Sequence, residues 1–130
     1  MADRFPDPEK ALRALLDTLT PSPITVGIGV PTTWGSTSPA HLQVGWDGTR
    51  TPRHRVAAVA LIRVTAWAST TSTAKATVLD AEARLCAHDG TGAISAIETA
   101  TGVFPARDTD TDAELASFTV RVTVRSQPLT

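Results

Sequence analysis

The longest apolar stretch of the chain is VAAVALIRVTAWA, residues 56–68. Successive side chains of a strand point to opposite faces, and here most side chains on both faces are apolar. A strand of this kind is covered at least in part on each side, as in the middle of a sheet. We therefore predict a central strand, with Arg63 as the one charged residue within it.

The segment after this strand has the pattern of an amphipathic helix. Residues 69–73 are rich in Ser and Thr, which favour helix starts. Apolar residues then recur at helical spacing, at Ala74, Val78, Ala81 and Leu85. We expect this stripe to lie on the sheet and Cys86 beside it to be a buried apolar filler, in preference to a metal ligand paired with His88.

Periodicity places the remaining elements around this pair. A helix capped by Asp7 presents Leu12, Leu15, Leu16 and Leu19 on one side. Alternating strands are predicted at residues 24–30, 41–46, 94–103 and 116–125, with connections at 31–40, 47–55 and 104–112 and a loose tail at 127–130. The predicted fold is one α+β domain over residues 1–130. It is a two-layer sandwich with a mainly antiparallel or mixed sheet of about five strands, two helices on one face and the order α-β-β-β-α-β-β.

Composition limits the possible functions. The 130 residues are 42% hydrophobic and 19% charged with a net charge of −1, which is typical of a soluble globular domain and gives no electrostatic reason to expect nucleic-acid or membrane binding. The single cysteine excludes an internal disulfide and a multi-cysteine zinc cluster. We find no signal peptide and no membrane span, so we expect a soluble protein of a reducing compartment.

Motifs that carry chemistry are weak or incomplete. Gly27 and Gly29 follow a strand, but no helix and no third glycine complete a phosphate-binding turn. The alternating Asp108, Asp110 and Asp112 resemble half of a calcium loop, but the sixth and twelfth positions lack the required Gly and Glu. A solvated acidic loop is the preferred interpretation, with a weak cation site as the alternative. We expect no enzyme activity, cofactor or metal.

Several residues are candidates for contact with partners. A basic cluster contains Arg50, Arg53, His54 and Arg55, and it is either a solvated loop or a contact with DNA or an acidic protein. Trp34 and Trp46 are either lids over the core or interface anchors. Arg63 is either at a subunit interface or is a paired arginine at the edge of the core.

The order of elements resembles the tail terminator proteins of long non-contractile-tailed bacteriophages, particularly those of actinobacterial hosts. The resemblance extends over nearly the whole chain as a pattern of elements. It is carried by the DPEKAL start of the first helix (residues 7–12), the IRVTAWA strand end (62–68) before the Ala-rich helix 74–87, the GVFP connection (102–105) leading to Asp112, and the FTVRVTVR strand (118–125).

This resemblance implies a structural virion protein at the tail–neck junction, assembled in the host cytoplasm. Such proteins close into a homo-oligomeric ring, expected to be a hexamer, on the last ring of the tail tube protein. They stop tube polymerisation and contact the head–tail connector protein, and DNA passes through the lumen without sequence-specific binding. We expect the acidic stretch 108–114 or the arginine cluster 50–55 to reach a neighbouring ring.

Two alternatives stay open at this point. One is another neck or head-completion protein of similar size. The other is a small-molecule-binding α+β domain that uses the face of Gly27 and Gly29 together with Trp34.

Overall fold

The computed structural model describes residues 3–46, 51–53, 57–90 and 92–128. The helices are α1 (Pro8–Leu19) and α2 (Thr71–Cys86). The strands are β1 (Asp3–Arg4), β2 (Thr25–Gly27), β3 (His41–Trp46), β4 (Thr51–Arg53), β5 (Ala57–Ala68), β6 (Ile94–Arg107), β7 (Glu114–Arg125) and β8 (Gln127–Pro128). The predicted α+β class and the order of the main elements are confirmed, with β1, β4 and β8 as short additions.

The main sheet is mixed and has the strand order β2-β3-β5-β7-β6. β2 runs parallel to β3, and the other pairs are antiparallel. β5 is central, as predicted, because β7 pairs with it along its full length and β3 pairs with its second half on the opposite edge. β4 pairs with Ala57–Val59. Because β7 occupies one edge of β5, β4 lies on the same edge as β3.

Both helices pack on one face of this sheet, here called the inner face. Leu12 and Leu16 of α1 and the predicted stripe of α2 form one cluster with the inward-pointing residues of β3, β5 and β7. Phe118 is the largest fully buried side chain of that cluster. The opposite side, here called the outer face, carries the alternate residues of the same strands.

Local chemistry explains where the helices begin. The Asp7 carboxylate accepts hydrogen bonds from the backbone N–H groups of Glu9 (3.0 Å) and Lys10 (3.3 Å), which α1 itself leaves unsatisfied. The hydroxyl of Thr70 accepts in the same way from the N–H of Thr73 at 3.1 Å and caps α2.

The prediction for Cys86 is wrong. Ala74, Val78, Ala81 and Leu85 are buried as expected, but Cys86 is exposed, with its sulfur 3.4 Å from the hydroxyl of Thr99. The physical reason is helical geometry, since each residue turns by about 100° and Cys86 therefore lies well to one side of Leu85.

Several element boundaries also differ from the prediction. β2 ends at Gly27, short of residue 30, and residues 51–53 of the predicted basic connection form β4. β6 continues through residues 104–107, because β7 supplies backbone partners as far as Glu114. Pro105 does not stop it, since an edge strand tolerates a missing N–H on its open side. The tail is not loose at residues 127–128, which pair with β1. Within the described residues, neither helix has the length and apolar character needed to span a membrane.

Candidate functional site

The centre of the outer face is a row of hydrogen-bonded polar side chains. The hydroxyls of Thr65 and Ser117 lie 2.8 Å apart across β5 and β7. On β3, the carbonyl oxygen of Gln43 accepts a hydrogen bond from the indole N–H of Trp67 at 3.0 Å. Ser117 is only 6% exposed, although no helix among the described residues covers this face. The row therefore forms an ordered polar floor.

Arg63 and Phe104 rise from this floor side by side. Both are exposed, Phe104 by 40%, and the guanidinium carbon of Arg63 lies 6.0 Å from the centre of the Phe104 ring. A cation over an aromatic ring attracts the ring's negative face. The bulges of β6 on either side of Thr101 separate this part of the strand from the regular ladder, and Phe104 pairs with Ser117 beyond them. Of the two alternatives for Arg63, burial as a paired core-edge residue is not what the structure shows.

Next to Arg63 lies a cleft of about 240 Å³, lined by Gln43, Gly45, Trp46, Arg63 and Thr65. Gly45 pairs directly with Arg63, and a Cβ at this position would meet no atom within 4 Å. The cleft is thus open because the strand carries no side chain at this point of the outer face.

Trp34 closes one end of the outer face. It is 9% exposed, its indole N–H donates to the carbonyl of Pro39 at 3.0 Å, and its ring meets that of Trp67 edge-on with centroids 6.0 Å apart. Of the two predicted roles, Trp34 has that of a lid. Its buried edge-to-face packing leaves little surface for another molecule.

The glycine pair in and after β2 approaches this protein's own histidine. His41 is 3% exposed, and a Cβ at Gly27 would lie 3.4 Å from its ring. One ring nitrogen of His41 donates to the carbonyl of Gly29 at 2.7 Å, and the other shares a hydrogen bond with the hydroxyl of Thr25 at 2.7 Å. The predicted close approach at Gly27 is therefore present, but an internal side chain makes it.

Trp46 has the opposite environment from Trp34. It is 42% exposed at the end of β3, and a second cleft of about 640 Å³ separates it from α1. Residues around this cleft include Arg4, Phe5, Lys10 and Ala11. Its backbone N–H donates to the Glu9 carboxylate at 2.7 Å, so that α1 caps the edge of the sheet here. Sequence reasoning missed Arg4 and Lys10, because their proximity to Trp46 depends on how α1 crosses the end of β3.

The acidic residues 108–113 form the tight turn of the β6–β7 hairpin. The Asp108 carboxylate accepts from the hydroxyl of Thr111 (2.6 Å) and from its backbone N–H (2.9 Å). These hydrogen bonds, first that of the hydroxyl, hold the pKa of Asp108 below its ordinary value. Asp112, with φ of 59°, forms an ion pair with Arg107 at 3.0 Å, and Asp110 is exposed at the tip.

The structure does not bring these aspartates together as a cation site. Among the described residues, no three His, Cys, Asp or Glu side chains are grouped so that they could hold a metal ion. Asp108 and Asp112 instead bind groups of their own hairpin. The preferred interpretation of a solvated acidic loop is the one that fits this geometry.

The arginine cluster is described only in part. The backbone of Arg53 belongs to β4 and pairs with Ala57. Arg50 and Arg55 lie outside the described residues, as does His54. Of the predicted site residues, Trp34 and Arg63 therefore lie on the outer face, and the aspartates lie apart from them on the hairpin.

Comparison with protein-family models and with curated proteins finds no match for this chain.

Proposed function

We propose that this chain is a structural virion protein of a long non-contractile-tailed phage. It forms a ring, expected to be a hexamer, at the head-proximal end of the tail tube. The ring ends tube polymerisation and joins the tail to the head–tail connector. The proposal includes no catalytic role and no cofactor, and it rests on the resemblance in the order of elements together with the observation that follows.

The observation that carries the proposal is the uncovered outer face of the sheet. Three strands, β5, β6 and β7, have lengths of 12, 14 and 12 residues, and the helices lie on their other side. An exposed aromatic ring and an arginine stand on this face above an ordered polar floor. Aromatic residues and arginine are enriched where proteins contact each other. A flat face of this kind suits contact with a protein surface.

The proposed partners follow from the position of such a ring. They are further copies of this chain, the tail tube protein and the connector protein, with DNA crossing the lumen without sequence-specific contacts. The proposed location is the tail–neck junction of the virion after assembly in the host cytoplasm, with no membrane association. Another neck or head-completion protein would use the same kind of surface at a different level of the particle.

The small-molecule alternative receives no support from the glycine pair. The space that Gly27 and Gly29 leave open is filled by the imidazole of His41, and Trp34 is packed on Trp67. We therefore argue the ring alone.

The test is a tube-capping assay with purified tail tube protein. Tube lengths are measured by electron microscopy while the tube protein polymerises with and without this chain. We expect shorter tubes with extra density at one end. Phe104→Asp should abolish capping, and Leu79→Asp is the matched control, because Leu79 is a comparably exposed apolar residue (51%) on α2. Unchanged tube lengths with the wild-type chain would overturn the proposal.

A further inference from the structure

The corner of the molecule around Trp46 has the properties of a contact site for an acidic protein segment. Trp46 stands between two clefts, one containing Arg63 and the other containing Arg4 and Lys10. An exposed tryptophan between clefts is the kind of residue that contributes most to binding energy in protein interfaces. We call these four residues the Trp46 corner.

The carboxylates near this corner are already engaged with backbone groups. Asp7 accepts from two N–H groups at the start of α1, and Glu9 accepts from the N–H of Trp46. Both lie at the helix N-terminus, where the helix dipole offsets negative charge. The three cations of the Trp46 corner therefore give it a positive character.

The basic strand β4 extends this character along the same side of the sheet. β4 carries Arg53 and lies on the same edge of β5 as β3, beyond the end of Trp46. The side of the molecule formed by β3 and β4 thus combines an exposed indole with cationic residues.

The opposite side of the sheet ends in the acidic hairpin, residues 107–114. It contains four carboxylates, Asp108, Asp110, Asp112 and Glu114, and one guanidinium, Arg107. Trp46 pairs with Ile62 and Glu114 pairs with Ala68, six positions further along β5. At about 3.4 Å per residue this is roughly 20 Å along the strand, in addition to the spacing across the sheet. The hairpin therefore does not reach the Trp46 corner of its own molecule.

From this placement we infer that the acidic hairpin of one copy docks on the Trp46 corner of the next copy. Two different patches on opposite edges of one molecule give a head-to-tail interface, which generates a ring when the rotation closes. The exposed Asp110 leads into the cleft between Trp46 and α1, toward Lys10. This inference rests on the proposed function and specifies how its ring is held together.

A charge-reversal experiment tests the contact. The mass of the purified protein is measured by light scattering against concentration for Asp110→Lys, for Lys10→Glu and for the two changes combined. We expect each single variant to raise the concentration needed for association by about tenfold, because like charges then face each other across the interface. The combined variant should recover association, since it restores an opposite pair in reversed order. Lys75→Glu and Asp80→Lys on α2 are the matched controls, because both positions are exposed and outside the two patches.

The cleft itself is tested by Trp46→Ala, which we expect to weaken association by about thirtyfold. A wild-type chain that stays monomeric at about 1 mM would overturn the inference. So would association that is lost in Trp46→Ala but unchanged in Asp110→Lys, since another segment would then occupy the corner. In either case a positive tube-capping assay leaves the proposed function standing, and a negative one removes it separately.

Discussion

Trp34 and Trp46 take opposite roles, and the backbone around each residue decides which. Trp34 lies in a loop that folds back, so that Pro39 and Trp67 surround its indole ring. Trp46 ends a strand on the side of the sheet that faces the helices, but α1 reaches only its backbone N–H, and the ring stays exposed. The sequence could identify both residues as lids or anchors. It could not assign them, because the difference depends on contacts between distant segments.

At the same scale, Asp108 predicts a specific response to pH. Its folded-state pKa is lowered, first by the hydroxyl of Thr111 and then by the N–H of the same residue. The carboxylate therefore contributes stability above its unfolded pKa of about 3.9, and this contribution is lost as the pH falls through the lower folded value. In Thr111→Val, we expect the pKa of Asp108 to rise toward its ordinary value, as measured by NMR titration of the side-chain carboxyl carbon.

Thr109→Val is the control for this titration, because Thr109 lies in the same turn and is exposed. It should leave the pKa of Asp108 unchanged. An identical Asp108 titration in the wild type and in Thr111→Val would mean that the hydroxyl does not stabilise the carboxylate.

At the scale of elements, the hairpin of β6 and β7 is where sequence patterns were least informative. The alternation of β7 is regular from residue 116 onward, and the structure confirms this strand. The second half of β6 has no comparable pattern, because bulges shift its register between Thr99 and Phe104. A strand that lies at an edge and is bulged does not keep one face consistently buried, so periodicity gives little signal. Its continuation to Arg107 follows from the partner strand.

The connection between α2 and β6 gives a prediction at this scale. Gly90 has φ of +85°, and a Cβ there would lie 2.6 Å from the carbonyl oxygen of Ser95. Gly92 has φ of +71°, with no atom within 4 Å of an added Cβ. Both Gly→Ala changes impose left-handed strain of about 1–2 kcal/mol. The backbone clash adds to this at Gly90 alone, so we expect Gly90→Ala to be the less stable variant.

Denaturant unfolding of the two glycine variants measures this difference directly. The expected pattern is a lower midpoint for Gly90→Ala than for Gly92→Ala, with unchanged slopes. Equal midpoints would show that Ser95 moves away at little cost, and the close approach would then have no role in holding β6 against the end of α2.

At the scale of the whole molecule, the two-layer core was predictable and the surface was not. Apolar periodicity in the helices and in the long strands is imposed by burial on one side, so the inner layer is recorded in the sequence. The outer face is built from polar and isolated apolar side chains, such as Thr65, Ser117 and Phe104, whose grouping depends on strand register. Partner surfaces of this kind have no periodic signature.

The layered core predicts unequal costs for two similar truncations. Leu16 is fully buried between α1 and the sheet, and Leu79 is 51% exposed on α2. Leu16→Ala should lower the free energy of unfolding by about 2–5 kcal/mol, because it removes buried methyl groups and leaves a cavity. Leu79→Ala should change it by less than about 0.5 kcal/mol. Equal effects in a denaturant titration would contradict the placement of α1 in the core.

The central claim is that copies of this chain close into a ring. The most direct measurement is the mass of the purified protein by light scattering, with electron micrographs of the same sample. We predict particles of about six protomers with a central hole, as head-to-tail contacts allow. A chain that is monomeric at every concentration and that also leaves added tail tubes uncapped would contradict the account.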